Sequence, residues 1–147
     1  MTGLRRVSSL CLLLCVTVIP GVYARQKPAA RKPSLSLKAQ PTLGFAPLRV
    51  RAVIDIKDGS DDYEEFYCAG AEWDWGDGTM SENSSDCDPY VAGTSKIQRR
   101  FSGDHTYRQQ GEFKIVFKLK QKTKPVAAVN ATVQVRRSEE HTSELQS

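Results

Sequence analysis

The chain has 147 residues, with 21 Lys and Arg against 17 Asp and Glu for a net charge of +4, and four cysteines. This length suits one domain once the ends are trimmed, and the near balance of charge excludes a protein built to wrap nucleic acid. The charges are nonetheless segregated: Asp55–Asp88 holds twelve acids against the single base Lys57, and Lys96–Lys124 holds nine bases against Asp104 and Glu112. Such a dipole suits binding or self-association, although solvated loops of differing sign would read the same way.

Met1–Ala24 sets Arg5 and Arg6 before an apolar run from Leu10 to Ile19, followed by Pro20 and small side chains at Val22 and Ala24. This is the three-part layout of a secretory signal peptide, with cleavage expected after Ala24. An uncleaved anchor is the alternative, but about ten apolar residues fall short of the roughly 20 that span a bilayer. Cys15 follows Leu12, Leu13 and Leu14 rather than small residues, which speaks against a lipid anchor. The mature chain is therefore expected to be secreted, periplasmic or at the cell surface, without a transmembrane span. Residues 25–36, RQKPAARKPSLS, carry Pro28, Pro33, four bases and no acid, and read as a flexible basic tether. At the other end, residues 137–147, RSEEHTSELQS, are polar and aperiodic and resemble, letter for letter, the translation of a sequencing adapter. They are set aside as an artefact. Removing both ends takes away three bases (Arg5, Arg6, Arg137) and three acids (Glu139, Glu140, Glu144), so the net charge stays at +4.

Beyond the tether the apolar period is two. Leu48, Val50, Ala52, Ile54 and Ile56 alternate with Arg49, Arg51, Asp55 and Lys57, which predicts a half-buried strand. Glu65–Trp75 predicts a second, with Tyr67, Ala69, Ala71, Trp73 and Trp75 on its core face. The residues that follow, Gly76-Asp77-Gly78, offer positive φ and an Asp side chain able to bond its own backbone, so WDWGDG reads as strand end plus tight turn. Phe113, Ile115, Phe117 and Leu119 alternate with lysines in a further strand, and in ATVQVR, from Ala131, Val133 and Val135 share a face. No stretch of useful length carries a helical stripe. An antiparallel β-sandwich of about seven strands is the economical solution.

Trp73–Gly78 followed by His105, Tyr107, Gly111 and Phe113 resembles the paired signature of PKD domains, Ig-like β-sandwich modules of surface and secreted proteins. The segment Pro41–Val50, PTLGFAPLRV, is similar to the first-strand junction of that family. The resemblance covers Leu35–Arg136 and is framed here as a domain of residues 37–136. It implies a non-catalytic role in spacing, adhesion and protein–protein or protein–carbohydrate contact at the cell envelope. Cys68, Cys87 and an acidic insert at Lys57–Glu65 depart from the family pattern. An alternative is an accessory domain of a secreted hydrolase whose catalytic part lies beyond Arg136.

The residues point the same way. After trimming, His105 is the sole histidine, so no His pair is present for a zinc site. Ser102, Asp104 and His105 are neighbours on one strand, whereas a triad assembles across a fold. Asp74 and Asp77 on one tight turn suit structure better than a glycosidase pair facing across a cleft. His105 is expected to be a hydrogen-bonded structural residue beside Tyr107, itself a candidate for an Ig-type tyrosine corner. With the signal removed, Cys68 and Cys87 are the two remaining cysteines, and export predicts a disulfide that staples a loop to the outside of the sheet. No cofactor is expected, with one candidate exception: Asp55, Asp58, Asp61, Asp62, Glu64 and Glu65 offer oxygens for Ca²⁺, the other reading being a solubilising acidic loop. Finally, Lys114, Lys118, Lys120 and Lys122 recur at period two. Their mutual repulsion predicts an acidic partner, a protein or an anionic polysaccharide, unless they serve only to protect an edge.

Overall fold

The computed structural model describes residues 30–138. The expected signal peptide, the start of the tether and residues 139–147 of the adapter-like segment lie outside the described residues. In chain order the elements are β1 (Ser34–Gln40), β2 (Leu43–Phe45), β3 (Leu48–Lys57), a 3-10 turn (Glu64–Phe66), β4 (Gly70–Asp74), β5 (Met80–Asn83), β6 (Arg100–Tyr107), β7 (Gly111–Gln121) and β8 (Lys124–Arg136). They form an all-β, Ig-like sandwich of two sheets, ordered β1-β3-β6 and β2-β8-β7-β4-β5. All pairings are antiparallel except that of the short β2 with the end of β8. Cis peptides at Gln40–Pro41 and Ala46–Pro47 bracket β2.

The period of two becomes the core directly. Val50, Ala52, Ile54 and Ile56 of β3 face Ile115, Phe117 and Leu119 of β7 and Val133 and Val135 of β8, and all are buried. Trp73, Trp75, Tyr107 and Phe66 fill the largest share of the interior. Eight strands occur among the described residues, in keeping with the expected number; β2 and the fully exposed β5 carry no alternation for the sequence to reveal.

Two boundaries differ from expectation. The described end of the span read as tether packs into the domain: β1 starts at Ser34, Leu35 and the adjoining Leu37 pack against the core, and Pro33 is buried. Just before it, the Arg31 carbonyl accepts from the Ser60 amide at 2.9 Å, and the Arg31 amide donates to Ser60 Oγ at 3.0 Å. Prolines and bases dominate the composition there, but the Leu35/Leu37 alternation lies in register with Ile56 and Ile54 and decides the outcome. The second difference is the strand predicted over Glu65–Trp75, which begins only at Gly70. Residues 64–66 wind into a 3-10 turn that buries Phe66, Tyr67 is left half-buried, and Cys68 has φ of 52°. A single left-handed residue cannot continue a ladder, so the chain turns there before entering β4.

Candidate functional site

The motif WDWGDG closes β4 with bonds from its own residues. Asp74 Oδ1 accepts from the Gly76 amide at 2.9 Å, and Asp77 Oδ1 accepts from the amide and hydroxyl of Thr79 at 3.1 and 2.6 Å. Trp75 donates its amide to the Thr79 carbonyl at 3.1 Å. Gly76 has φ of 78°, and a Cβ there would lie 2.6 Å from the Lys114 carbonyl oxygen, so only glycine fits. The other Asp77 oxygen meets His105 Nε2 at 2.7 Å. Burial alone would raise the Asp77 pKa, but the bonds from Thr79 and His105 outweigh it and hold the carboxyl below its ordinary value.

Beneath this turn runs an aromatic layer. Trp73 and Trp75 stack at 5.5 Å with planes 7° apart, His105 stacks on Trp75 at 4.9 Å, and Tyr107 meets His105 edge-on and Phe113 face-on. Trp75 Nε1 donates to Ser81 Oγ at 2.9 Å, whereas Trp73 Nε1 is buried without a partner among the described residues. Gly103 of β6 admits the pair: a Cβ there would stand 3.1 Å from the Trp75 ring. Tyr107 Oη donates to the Trp75 carbonyl at 2.8 Å, and burial pushes its pKa well above the usual tyrosine value. This is not the corner expected of an Ig domain, because the acceptor lies 32 residues back, just past the end of β4, rather than a few residues upstream. Asp77, Thr79, His105, Tyr107, Arg108 and Phe113 rim an open pocket of about 560 Å³. Gly78 and Gly111, the remaining motif glycines, both have positive φ, of 87° and 159°.

Cys68 and Cys87 form a disulfide with Cα atoms 6.0 Å apart. It ties the loop after β5 to the bend before β4, outside the core, and Tyr67 reinforces it by donating to the Asp88 carbonyl at 2.9 Å. The candidate calcium loop does not converge. Asp61 receives Arg99 Nε at 2.7 Å, Asp55 faces Arg100 at 3.8 Å, and Asp58 accepts from Ser34 Oγ at 3.4 Å. The Asp62 carbonyl takes Tyr90 Oη at 2.7 Å, the Glu64 carbonyl takes Gln121 Nε2 at 3.1 Å, and Glu65 accepts from Tyr63 at 3.2 Å. Among the described residues no three His, Cys, Asp or Glu side chains stand close enough to hold a metal ion. Arg99, invisible to a motif search, organises this loop by also donating to the Ile56 and Asp58 carbonyls at 3.2 and 2.9 Å.

The lysine row also differs from expectation. Lys118 Nζ lies 2.8 Å from one Glu72 oxygen, and Lys120 Nζ lies 2.9 Å from the other and 2.9 Å from Glu82. The bond from Lys118, then that from Lys120, lowers the Glu72 pKa against the opposing effect of burial. Lys122 is outside the strand, in the turn between β7 and β8 with φ of 56°, and Lys114 is exposed. The repulsion that predicted an outside partner is thus relieved by neighbouring strands of the same sheet. Their register sets Glu72 opposite both Lys118 and Glu82.

The outer face of the other sheet is different. Arg49 and Arg51 of β3, Lys38 of β1 and Arg100 of β6 project from it, and Arg49 and Arg51 share the single carboxylate of Asp104 at 3.9 and 4.0 Å. Arg100 reaches only Asp55, and Lys38, Gln40, Arg51, Val53, Asp55 and Arg100 line a depression of about 250 Å³. Period two at Arg49 and Arg51 was legible; that Lys38 and Arg100 join them depends on strand order.

No protein-family model matches the chain, and no curated protein matches it. Among solved structures it is similar to the PKD domain of an M14-like peptidase from Thermoplasmatales archaeon SCGC AB-540-F20, with a TM-score of 0.49 and 14% identity over 74% of this chain and 100% of that one. It is also similar to the CARDB domain of the PF1109 protein from Pyrococcus furiosus, solved in complex with di-metal ions, with a TM-score of 0.47 and 13% identity over 71% of this chain and 89% of that one. The likeness is one of fold. No helix among the described residues is long and apolar enough to cross a membrane.

Proposed function

We propose that this chain is an exported, non-catalytic contact module, and that its binding surface is the outer face of the sheet β1-β3-β6. The partner is an anionic polysaccharide of the cell envelope or its surroundings. The observation that carries this reading is the loose pairing of Arg49 and Arg51, two guanidinium groups on one carboxylate at the limit of ion-pair distance. Arginine presents a planar fork that matches carboxylate and sulfate groups in two-point contacts. Strands about 4.8 Å apart and side chains repeating every second residue spread Lys38, Arg51 and Arg100 into a grid rather than a point, which suits a repeating polymer. The non-catalytic part rests on His105. Its ring meets Asp77, the carboxylate that also holds Thr79, so its contact is part of the structure of a turn.

The test is retention of the mature chain on a sulfated polysaccharide resin under a salt gradient. Arg49→Glu/Arg51→Glu is expected to elute at the column front, whereas Lys118→Gln/Lys120→Gln elutes near wild type, because its lysines are already satisfied by Glu72 and Glu82. Wild-type retention should weaken with salt, since exposed charges are screened beyond about 10 Å at 0.1 M. Equal behaviour of the two double variants would place the contact elsewhere and end this reading.

A further inference from the structure

The chain contains two asparagines, Asn83 and Asn130, and both stand in the pattern Asn-x-Ser/Thr: Asn83-Ser84-Ser85 and Asn130-Ala131-Thr132. That pattern is the acceptor for N-linked oligosaccharide when a chain enters a secretory compartment and the middle residue is not proline. We infer that Asn83 and Asn130 are N-glycosylation sites. The inference shares with the proposed function the expectation of export, but not the anionic partner.

The surroundings of the two residues support it. Both side chains are exposed, and neither amide takes part in a hydrogen bond among the described residues, so a sugar on either displaces no native contact. Asn83 ends β5, and Ser84–Tyr90 runs on without regular structure, which leaves the sequon open on the folded domain. Asn130 lies on β8 opposite Val116 of β7, on the outer face of the sheet.

Position within the sheet gives the pair a common purpose. β5 is one margin of the five-stranded sheet. On the other margin β2 covers only Gln134–Arg136, and the stretch of β8 before it has a ladder partner in β7 alone. The two sequons therefore lie on the two strands of the sheet that have no second ladder partner where the sequon stands, β5 and the middle of β8. An uncovered edge invites pairing with another chain, and a bulky solvated group beside it blocks the approach. The sugars would also leave the arginine-bearing face of the opposite sheet bare.

The chemistry is a group transfer by a membrane oligosaccharyltransferase from a polyprenyl-pyrophosphate-linked oligosaccharide. The asparagine amide nitrogen forms a bond to C1 of the first sugar as the C1–O bond to pyrophosphate breaks. The pyrophosphate departs with the electron pair, and the amide proton passes to a carboxylate of the transferase.

The test expresses the full chain through a eukaryotic secretory pathway and reads the cell-associated and secreted protein by intact mass before and after peptide-N-glycosidase, which leaves aspartate wherever a glycan stood. Asparagine-to-aspartate conversion is expected at positions 83 and 130. Ser85→Ala and Thr132→Ala keep each asparagine and remove a hydroxyl that bonds nothing among the described residues; each should lose one glycan, and together they should lose both. Conversion at one position alone overturns the assignment of the other. Unmodified asparagine at both, or an enzyme-sensitive glycan on the double variant, overturns the inference. Mass is independent of resin retention, so failure here leaves the anionic contact standing, and failure there leaves the glycans.

Discussion

The turn at Asp74–Thr79 and the acidic loop at Asp58–Phe66 both bring carboxylates to the rim of the sandwich, and they are held in opposite ways. In the turn each aspartate bonds a backbone amide two residues ahead, and the structure rests on the aromatic layer beneath. In the loop the holding groups come from far along the chain: Arg99 to Asp61, Tyr90 to the Asp62 carbonyl, and the Ile97 amide to the Asp61 carbonyl at 2.8 Å. One region is stabilised by its own sequence and by packing, the other by borrowed partners. Acid content alone predicts neither stability nor metal binding.

Four measurements sharpen this contrast. The largest effect belongs to the layer under the turn: Trp73→Ala, which removes a fully buried indole between Trp75 and Phe117, should cost about 3–5 kcal/mol in urea unfolding. A cost below that of any loop variant would mean that the turn does not depend on the core. Next comes Cys68→Ser/Cys87→Ser, expected to lose about 3 kcal/mol in the chain-entropy account, with amide exchange quickened mainly after β5. Exchange quickened throughout the turn as well would merge the two regions into one unit.

Asp77→Asn should cost about 1–2 kcal/mol by weakening the bonds to Thr79 and His105. The folded Asp77 carboxyl titrates below its unfolded value, so its contribution is complete above about pH 4 and is lost as pH falls through the folded pKa. The difference between wild type and Asp77→Asn in thermal unfolding should therefore be flat near neutrality and close in strong acid. A gap that stays open in acid would assign the effect to shape rather than charge. The smallest effect is Arg99→Lys, at about 1 kcal/mol, since lysine keeps the charge but cannot serve Asp61 and two carbonyls with one planar fork. Limited proteolysis should then open the chain near Asp58–Phe66 while sparing the turn.

The same contrast explains what could be read in advance. Asp74 and Asp77 act over two residues, and β3, β7 and the end of β8 announce themselves by alternation, so the sandwich and its turn were legible. Glu72 meets Lys118 across 46 residues and Tyr107 meets Trp75 across 32, distances at which only strand register brings groups together. The pairing of Lys118 and Lys120 with Glu72, and the hold of Arg99 on the acidic loop, therefore lay beyond what the sequence alone could show. The end of the tether was misread for another reason: its prolines and bases outweighed Leu35, whose value depended on a strand not yet placed.

The parallel indoles of Trp73 and Trp75 make the molecule its own optical instrument. Two like chromophores stacked 5.5 Å apart with nearly parallel planes couple their electronic transitions, while the different surroundings of their ring N–H groups make their emission unequal. Near-ultraviolet circular dichroism and indole fluorescence then report whether β4 is seated between β7 and β5, with no label attached. Because His105 stacks on one of the pair, the same signal registers changes at Asp77 and in the pocket beside it.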